Sequence, residues 1–252
     1  MAGHSHSANI KFRKDRVDAA RAKVFSKLAR MVTVAAKLGG GDPDGNPRLR
    51  LAVDKARLVN MTKDSITRAI KKGTGEGSEG NFEELLYEGY GPGGVAILLE
   101  VLTDNRNRTA PEVRKIFEKA AGNLAANGSV AWMFERKGVF EIEPADDMGE
   151  DRLMEIAVEV GAEDMVQVGD RFEIRCEPEH FSDVKAGLER FSVPLAGGEV
   201  AYVAKNHNEI SEVETARKVL RLLDALDEQD DVQGVYANYR FSEGVIEALE
   251  TS

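Results

Sequence analysis

Apolar residues recur at helical spacing through the first third of the chain and alternate at strand spacing after it. Val17, Val24, Leu28, Met31, Ala35 and Leu38 line one face of a first helix, which Gly39, Gly40 and Gly41 should stop. Asn46 followed by Pro47 opens a second helix: a capping side chain, then a proline where the missing N–H is harmless. Leu49, Ala52, Ala56 and Val59 form its inner stripe. A third helix is expected from Thr62 to Lys72, with Gly73 as its C-terminal stop. Gly73, Gly75, Gly77 and Gly80, set among Thr, Ser, Glu and Asn, then mark a domain boundary.

From Leu85 the period changes. Leu85 to Tyr90 and Val95 to Leu102 read as strands joined across Gly91, Pro92, Gly93 and Gly94, the second apolar throughout and therefore central. Thr109, Pro111 and Glu112 form an expected capping box for a helix with Val113, Ile116, Phe117 and Ala120 inside, ended by Gly122 and Asn123. A short strand, Val130 to Phe134, should follow. Between Val139 and Val203 the pattern is βαββαβ. Leu153, Ile156, Ala157 and Val160 mark one helix, Phe181, Val184, Leu188 and Phe191 the other, and Gly169-Asp170 the hairpin. Phe172, Ile174 and Cys176 alternate with Arg171, Glu173 and Arg175, which predicts one sheet face under helices and one left polar, the two-layer ferredoxin-like plan. Ser211 and Glu214 open a last helix with Ala216, Val219, Leu220 and Leu223 inside, before a strand at Val235, Ala237 and Tyr239.

A lone helix and strand after Lys205 cannot fold alone, and the segment from Leu85 to Phe134 lacks a second helix and a fourth strand. The expected fold is therefore α+β and multidomain. Residues 1–77 form a basic helical domain with an extended N-terminal arm, residues 80–136 and 206–243 a discontinuous α/β domain, and residues 137–205 a ferredoxin-like α/β domain inserted into it.

The 252 residues are 42% hydrophobic, which is globular, and carry a net charge of −10. That charge is polarised. The first 77 residues hold 17 Lys and Arg against seven Asp and Glu, a net of +10, and the remainder carries −20. A polyanion is expected to meet the first third. The longest apolar run, Val95 to Leu99, is far too short to cross a bilayer, and no apolar signal core opens the chain, so a cytoplasmic protein with no membrane partner is expected. The single Cys176 excludes an internal disulfide and a Cys-rich zinc site.

Candidate phosphate contacts follow from the basic count. Lys11, Arg13 and Lys14 sit in the arm, and Arg16, Lys23, Lys27, Arg30 and Lys37 fall within about 80° of one another on the first helix. Arg48, Arg50, Lys55 and Arg57 belong to the second helix, and Lys63, Arg68, Lys71 and Lys72 to the third. Any one of these also reads as an ordinary solvated side chain; the one-sided count favours a polyanion site. No helix-turn-helix recognition helix stands out, which favours backbone or shape reading. His4 and His6 stand far from His180 and His207 with no Cys near, so no metal is expected. The glycines of GPGG and GTGEG lack the Lys-Ser/Thr ending of a phosphate loop, and no cofactor is expected. No catalytic dyad is visible. Asp104, Asn105, Arg106, Asn107 and Arg108 form a possible functional loop and equally a structural turn; Asp227, Glu228, Asp230 and Asp231 read as solvated helix-end charge.

MAGHS and ANIK, VAAKLGGGDPDGNPRLRLAVDKA, IKKGTGEG, YEGYGPGGVAI, TDNRNRT, GSVAWMFERKG and LLDALDEQDDVQGVYAN resemble the YebC/PmpR family of probable transcriptional regulatory proteins over nearly the whole chain. That family includes the mitochondrial translational activator of cytochrome oxidase. The resemblance implies a small helical domain and two α/β domains, no established enzymatic activity, and a role in gene expression through nucleic acid. The chain departs from the family pattern at His6 and Ser7, where Lys and Trp are usual, and at Phe12, where a His is usual. The expected function is a non-enzymatic, DNA-binding regulator of transcription. The alternative is a ribosome-associated translation factor or translational activator bound to rRNA or tRNA. Two other classes stay open: an enzyme with its site between the α/β domains, and a protein-interaction scaffold of unstated oligomeric state.

Overall fold

The computed structural model describes residues 21–75, 82–143, 148–168 and 171–250. The expected hairpin at Gly169-Asp170, the linker positions Gly77 and Gly80, the arm cations Lys11, Arg13 and Lys14, and Arg16 and the departures His6, Ser7 and Phe12 lie outside them, as does the side chain of Lys23.

Three helices open the described chain: α1 (Arg21–Gly39), α2 (Pro47–Leu58) and α3 (Lys63–Thr74). Leu28, Val32 and Ala35 of α1 pack with Leu49, Ala52, Val53 and Ala56 of α2 and with Met61, Ile66 and Ala69. Gly40, at φ +88°, turns left-handed and donates to Ala36 O at 2.9 Å, which ends α1. Asn46 then does two things. Its Oδ1 accepts from Leu49 N at 3.1 Å as the α2 cap, and its Nδ2 donates to Ala35 O and Gly40 O, both at 2.9 Å, tying the end of one helix to the start of the next. Thr62 caps α3 by accepting from Ser65 N at 3.3 Å.

Gly73 is not a stop. It is buried inside α3, where a Cβ would stand 2.2 Å from Thr33 O and 2.9 Å from the Ala36 Cβ. The glycine is there so that α3 can touch α1, and sequence spacing does not distinguish that use from a cap.

β1 (Glu83–Tyr90) and β2 (Ala96–Thr103) pair antiparallel from Glu83↔Thr103 to Tyr90↔Ala96, joined by a tight turn with positive φ at Gly93 and Gly94. Every residue of β2 but Glu100 is buried. Helix α4 (Arg106–Lys119) begins three residues before the expected capping box, because Asn105 accepts from Arg108 N at 3.1 Å and caps first. Thr109 is thereby drawn into the helix and fully buried. β3 (Asn123–Leu124) pairs with β1. The expected strand at Val130 to Phe134 is instead a short 3₁₀ turn, Ala131–Met133, leading into β4 (Phe134–Ile142).

The next elements are α5 (Glu150–Glu159), β5 (Asp164–Val168), β6 (Arg171–Cys176), α6 (Phe181–Arg190) and β7 (Leu195–Ala204). With β4 they form a fully antiparallel sheet in the order β5-β6-β4-β7, the ferredoxin-like βαββαβ arrangement. Register places Gly138 opposite Cys176, Phe140 opposite Ile174 and Ile142 opposite Phe172, and Phe181 of α6 stacks on Phe140 at 4.7 Å. Cys176 is fully buried, and burial pushes its thiol up to about 11. The opposite sheet face is not a solvated polar surface throughout: Glu173 is fully buried and pairs with Arg175 at 2.7 Å. Alternation located the face but not what covers it.

β8 (Asn208–Ile210), α7 (Val213–Asp227), β9 (Val232–Ala237), β10 (Tyr239–Phe241) and α8 (Glu243–Glu250) close the chain. β9 joins the earlier sheet, giving the order β3-β1-β2-β9, and β8 pairs parallel with β10. The βαββαβ segment is thus inserted within an α/β domain whose sheet is finished by later residues. Two compact units result, one containing Ala131–Ala216 with the chain from Tyr236 onward, the other the described residues before Ala131 with Arg217–Val235. Among the described residues no helix is long and apolar enough to cross a membrane.

Replacing Gly73 with Ala should destabilise the helical head by about 1–3 kcal/mol, because the added methyl overlaps the α1 backbone. Gly244→Ala, with open space around its Cβ, should change stability by less than about 1 kcal/mol and in the stabilising direction. Urea unfolding of both variants compares them directly.

Candidate nucleic-acid interface

The expected basic ridge of α1 does not face solvent as a whole. Lys27 donates to Asp227 O and lies 3.8 Å from the Asp227 carboxylate. Arg30 is engaged more fully: Nη1 is 2.7 Å from Asp231 Oδ1 and 3.0 Å from Asp230 O, and the guanidinium lies 5.8 Å from the centre of the Phe82 ring. Residues 200 positions apart hold the head against the α/β sheet of the same compact unit. Helical spacing shows which cations share a side of a helix and is silent on what that side meets.

Asp231 is the receptor. It is 2% exposed, and besides Arg30 its carboxylate accepts from Thr109 at 2.6 Å, Arg108 at 2.9 Å and Thr103 at 3.1 Å. Gln229 Oε1 accepts from its backbone N–H at 2.6 Å, and its carbonyl accepts from Leu102 N at 2.8 Å. Burial by itself would raise this carboxyl; hydrogen bonds from Thr109 and Arg108, with the charges of Arg108 and Arg30, outweigh it and hold the group below the usual carboxylate range. The acidic cluster is therefore only partly solvated helix-end charge. Asp231, and through Lys27 and Arg30 also Asp227 and Asp230, are structural.

The loop from Asp104 to Arg108 is spent largely on the same centre. Asn105 caps α4 and its N–H donates to Thr103 Oγ1 at 2.9 Å, while Arg108 bridges Asp104 at 3.1 Å and Asp231. Arg106 and Asn107 remain exposed on the first turn.

On α2 the cations divide. At about 100° per residue, Arg48 and Lys55 fall on one flank of the buried stripe and Arg50 and Arg57 on the other. Arg48 pairs with Glu84, Arg57 lies 3.5 Å from Asp54, and Arg50 donates to Pro43 O at 3.1 Å and Asp44 O at 2.8 Å. On α3, Arg68, Lys71 and Lys72 are all exposed within about 100°, on the side away from Ile66, Ala69 and Gly73, with Arg68 donating to Asp64 O at 3.3 Å and Ser65 Oγ at 3.2 Å; Lys63 is exposed at the first turn. Lys37, exposed in the last turn of α1, adjoins them, since the Gly73 contact sets the ends of α1 and α3 side by side. The structure thus brings together Lys37, Arg68, Lys71 and Lys72. It turns Lys27 and Arg30 away and separates Arg48 and Lys55 from Arg50 and Arg57. All three helices also end in basic residues, which suits the negative end of a helix dipole, so part of the head's charge serves its own folding. Among the described residues no three His, Cys, Asp or Glu gather as metal ligands.

A basic three-helix head followed by a split α/β domain carrying a ferredoxin-like insertion defines a multidomain α+β protein with a cationic end. This chain belongs to the TACO1/YebC family. Residues 5–76 match the TACO1/YebC protein N-terminal domain, and residues 82–239 the TACO1/YebC second and third domain. A probable transcriptional regulatory protein of Aquifex aeolicus is 50% identical over 250 residues, covering 99% of this chain and 100% of that one. One of the same name from Natranaerobius thermophilus is 52% identical over 249 residues, covering 98% of this chain and 99% of that one. The crystal structure of a conserved hypothetical protein from Aquifex aeolicus superposes with a TM-score of 0.82 at 48% identity, over 91% of this chain and 94% of that one.

Asp231→Asn keeps the shape and removes the charge shared by Arg30 and Arg108, and should destabilise the fold by roughly 3 kcal/mol at neutral pH. Because the folded carboxyl titrates below its unfolded value, near about 3.9, the wild-type contribution is present above that pH and disappears as the pH falls through the lowered folded value. Thermal unfolding from pH 7 to pH 2 should show the variant losing less stability in acid than the wild type.

Proposed function

We propose that this protein is a non-enzymatic regulator of gene expression that binds nucleic acid through its helical head, acts in the cytoplasm, and has DNA as its partner in the transcriptional role that its relatives' names carry. The observation that supports this most is the exposed cluster Lys37, Arg68, Lys71 and Lys72 on one end of a head whose first 77 residues carry +10 in a chain of −10. Phosphate contacts of this kind position a duplex without reading its bases. Cys176, the chain's one thiol, is buried and raised to about 11, which puts it out of range as a thiolate nucleophile at neutral pH; the non-enzymatic part of the reading rests on the relatives' names.

If these four cations each meet a phosphate, the head contributes a slope of about −4 to log affinity against log salt on duplex DNA and about −3 on single-stranded RNA. Arg68→Gln, Lys71→Gln and Lys72→Gln together should make the duplex slope shallower by about 3, whereas Arg30→Gln should lower stability and leave the slope in place. Fluorescence anisotropy from 50 to 300 mM salt measures both. A slope unchanged by the triple variant removes the head from the interface, and tighter binding to RNA than to duplex DNA moves the target from promoter to ribosome.

A further inference from the structure

Helix α4 differs in charge from every other described helix of the α/β domains. It carries five basic and two acidic residues, against one and four on α5, two and two on α6, three and three on α7, and none and three on α8. This excess stands in the part of the chain whose net charge is −20.

Arg114, Lys115 and Lys119 are all exposed and fall within about 140° of one another, opposite the buried Thr109, Val113 and Phe117. Among the described residues none of the three forms an ion pair, nor does Arg106. The acids on the same helix do not neutralise them: Glu112 accepts from Gln229 at 2.9 Å, and Glu118 pairs with neither Arg114 nor Lys115 although both lie within one turn. Helix stability accounts for Lys119, which stands in the last turn at the negative end of the dipole, but not for the rest of the pattern. Arg106 occupies the first turn, where the positive end of the helix dipole disfavours a cation and no acid is present to offset it. The contrast with the head is direct, since Lys27, Arg30, Arg48 and Arg57 are paired with carboxylates while these four cations stand unpaired.

We propose that the exposed face of α4 is a second contact surface for a phosphodiester backbone, made by Arg114, Lys115 and Lys119. The inference rests on the nucleic-acid reading above and extends it to the α/β domain, so that bound polymer meets cations of three helices, α1, α3 and α4, of one compact unit. A protein partner with an acidic surface is the competing occupant, and the experiment separates the two.

The full chain is titrated by fluorescence anisotropy against a 30-base-pair duplex DNA and a 30-nucleotide single-stranded RNA from 50 to 300 mM salt. The variant carries Arg114→Gln, Lys115→Gln and Lys119→Gln. A charge-matched control carries Arg152→Gln, Lys185→Gln and Arg190→Gln, on α5 and α6 of the other unit. The α4 variant should lose about 3 from the duplex slope, or about 2 from the RNA slope, with the control at the wild-type value. In the wild type, acetylation of Lys115 and Lys119 by an N-hydroxysuccinimide ester, read by mass spectrometry, should fall at least threefold on adding the bound probe; this readout holds even where the variant folds poorly. An α4 variant indistinguishable from wild type or from the control, or unprotected lysines, overturns the proposal and leaves the head as the sole interface. Salt-independent or absent binding by the wild type overturns the nucleic-acid reading itself, and this proposal with it.

Discussion

A single buried carboxylate organises the larger part of this molecule. Asp231, in the turn between α7 and β9, accepts from two threonines and two arginines that come from β2, α4 and the first helix. A buried charge is tolerated only where such partners gather, and once they gather they leave little freedom to the elements that supply them. The head is thereby seated against the sheet, α4 begins where Asn105 caps it, and late residues are brought beside β2. The same arginine that a linear reading assigns to a ligand is used to hold the fold together.

This use changes what the basic end means. Abundance of Lys and Arg in the first third measures a field, which steers a polyanion from a distance, but contact depends on which side chains are exposed together on one side. Arg30 is committed to a carboxylate and Arg48 to another, and the α2 cations stand on opposite flanks of a buried stripe. The exposed cations gathered on one side are fewer and more localised than the count suggests, at the paired ends of α1 and α3, and Arg68 among them also donates to Asp64 O and Ser65 Oγ.

Local signals were legible where the cause is local. The Asn46 cap with Pro47 behind it, the apolar stripes of α1 and α2, the fully apolar β2 and the alternation in β6 each report a neighbourhood of a few residues, and from them the three helices and the ferredoxin-like order can be read. The failures share another cause. Gly73 and a helix-ending glycine look alike along the chain, because only the approach of α1 separates them. Asn105 and Thr109 are both competent caps four residues apart, and the choice falls to Asp231, more than a hundred residues away, which takes the Thr109 hydroxyl for itself. Glu173 alternates as a surface residue does and is nonetheless buried beside Arg175.

The close approach at Gly73 has an implication for anything that lands on the head. With no side chain between them, α1 and α3 cannot slide along or rotate about each other without collision, and Asn46 staples α1 to α2 at the same end. The backbone positions that carry Lys37, Lys71 and Lys72 are therefore held in place, while the four-carbon stems above them keep their own freedom. Adjustment at this end is left to the long side chains and not to the helices that carry them.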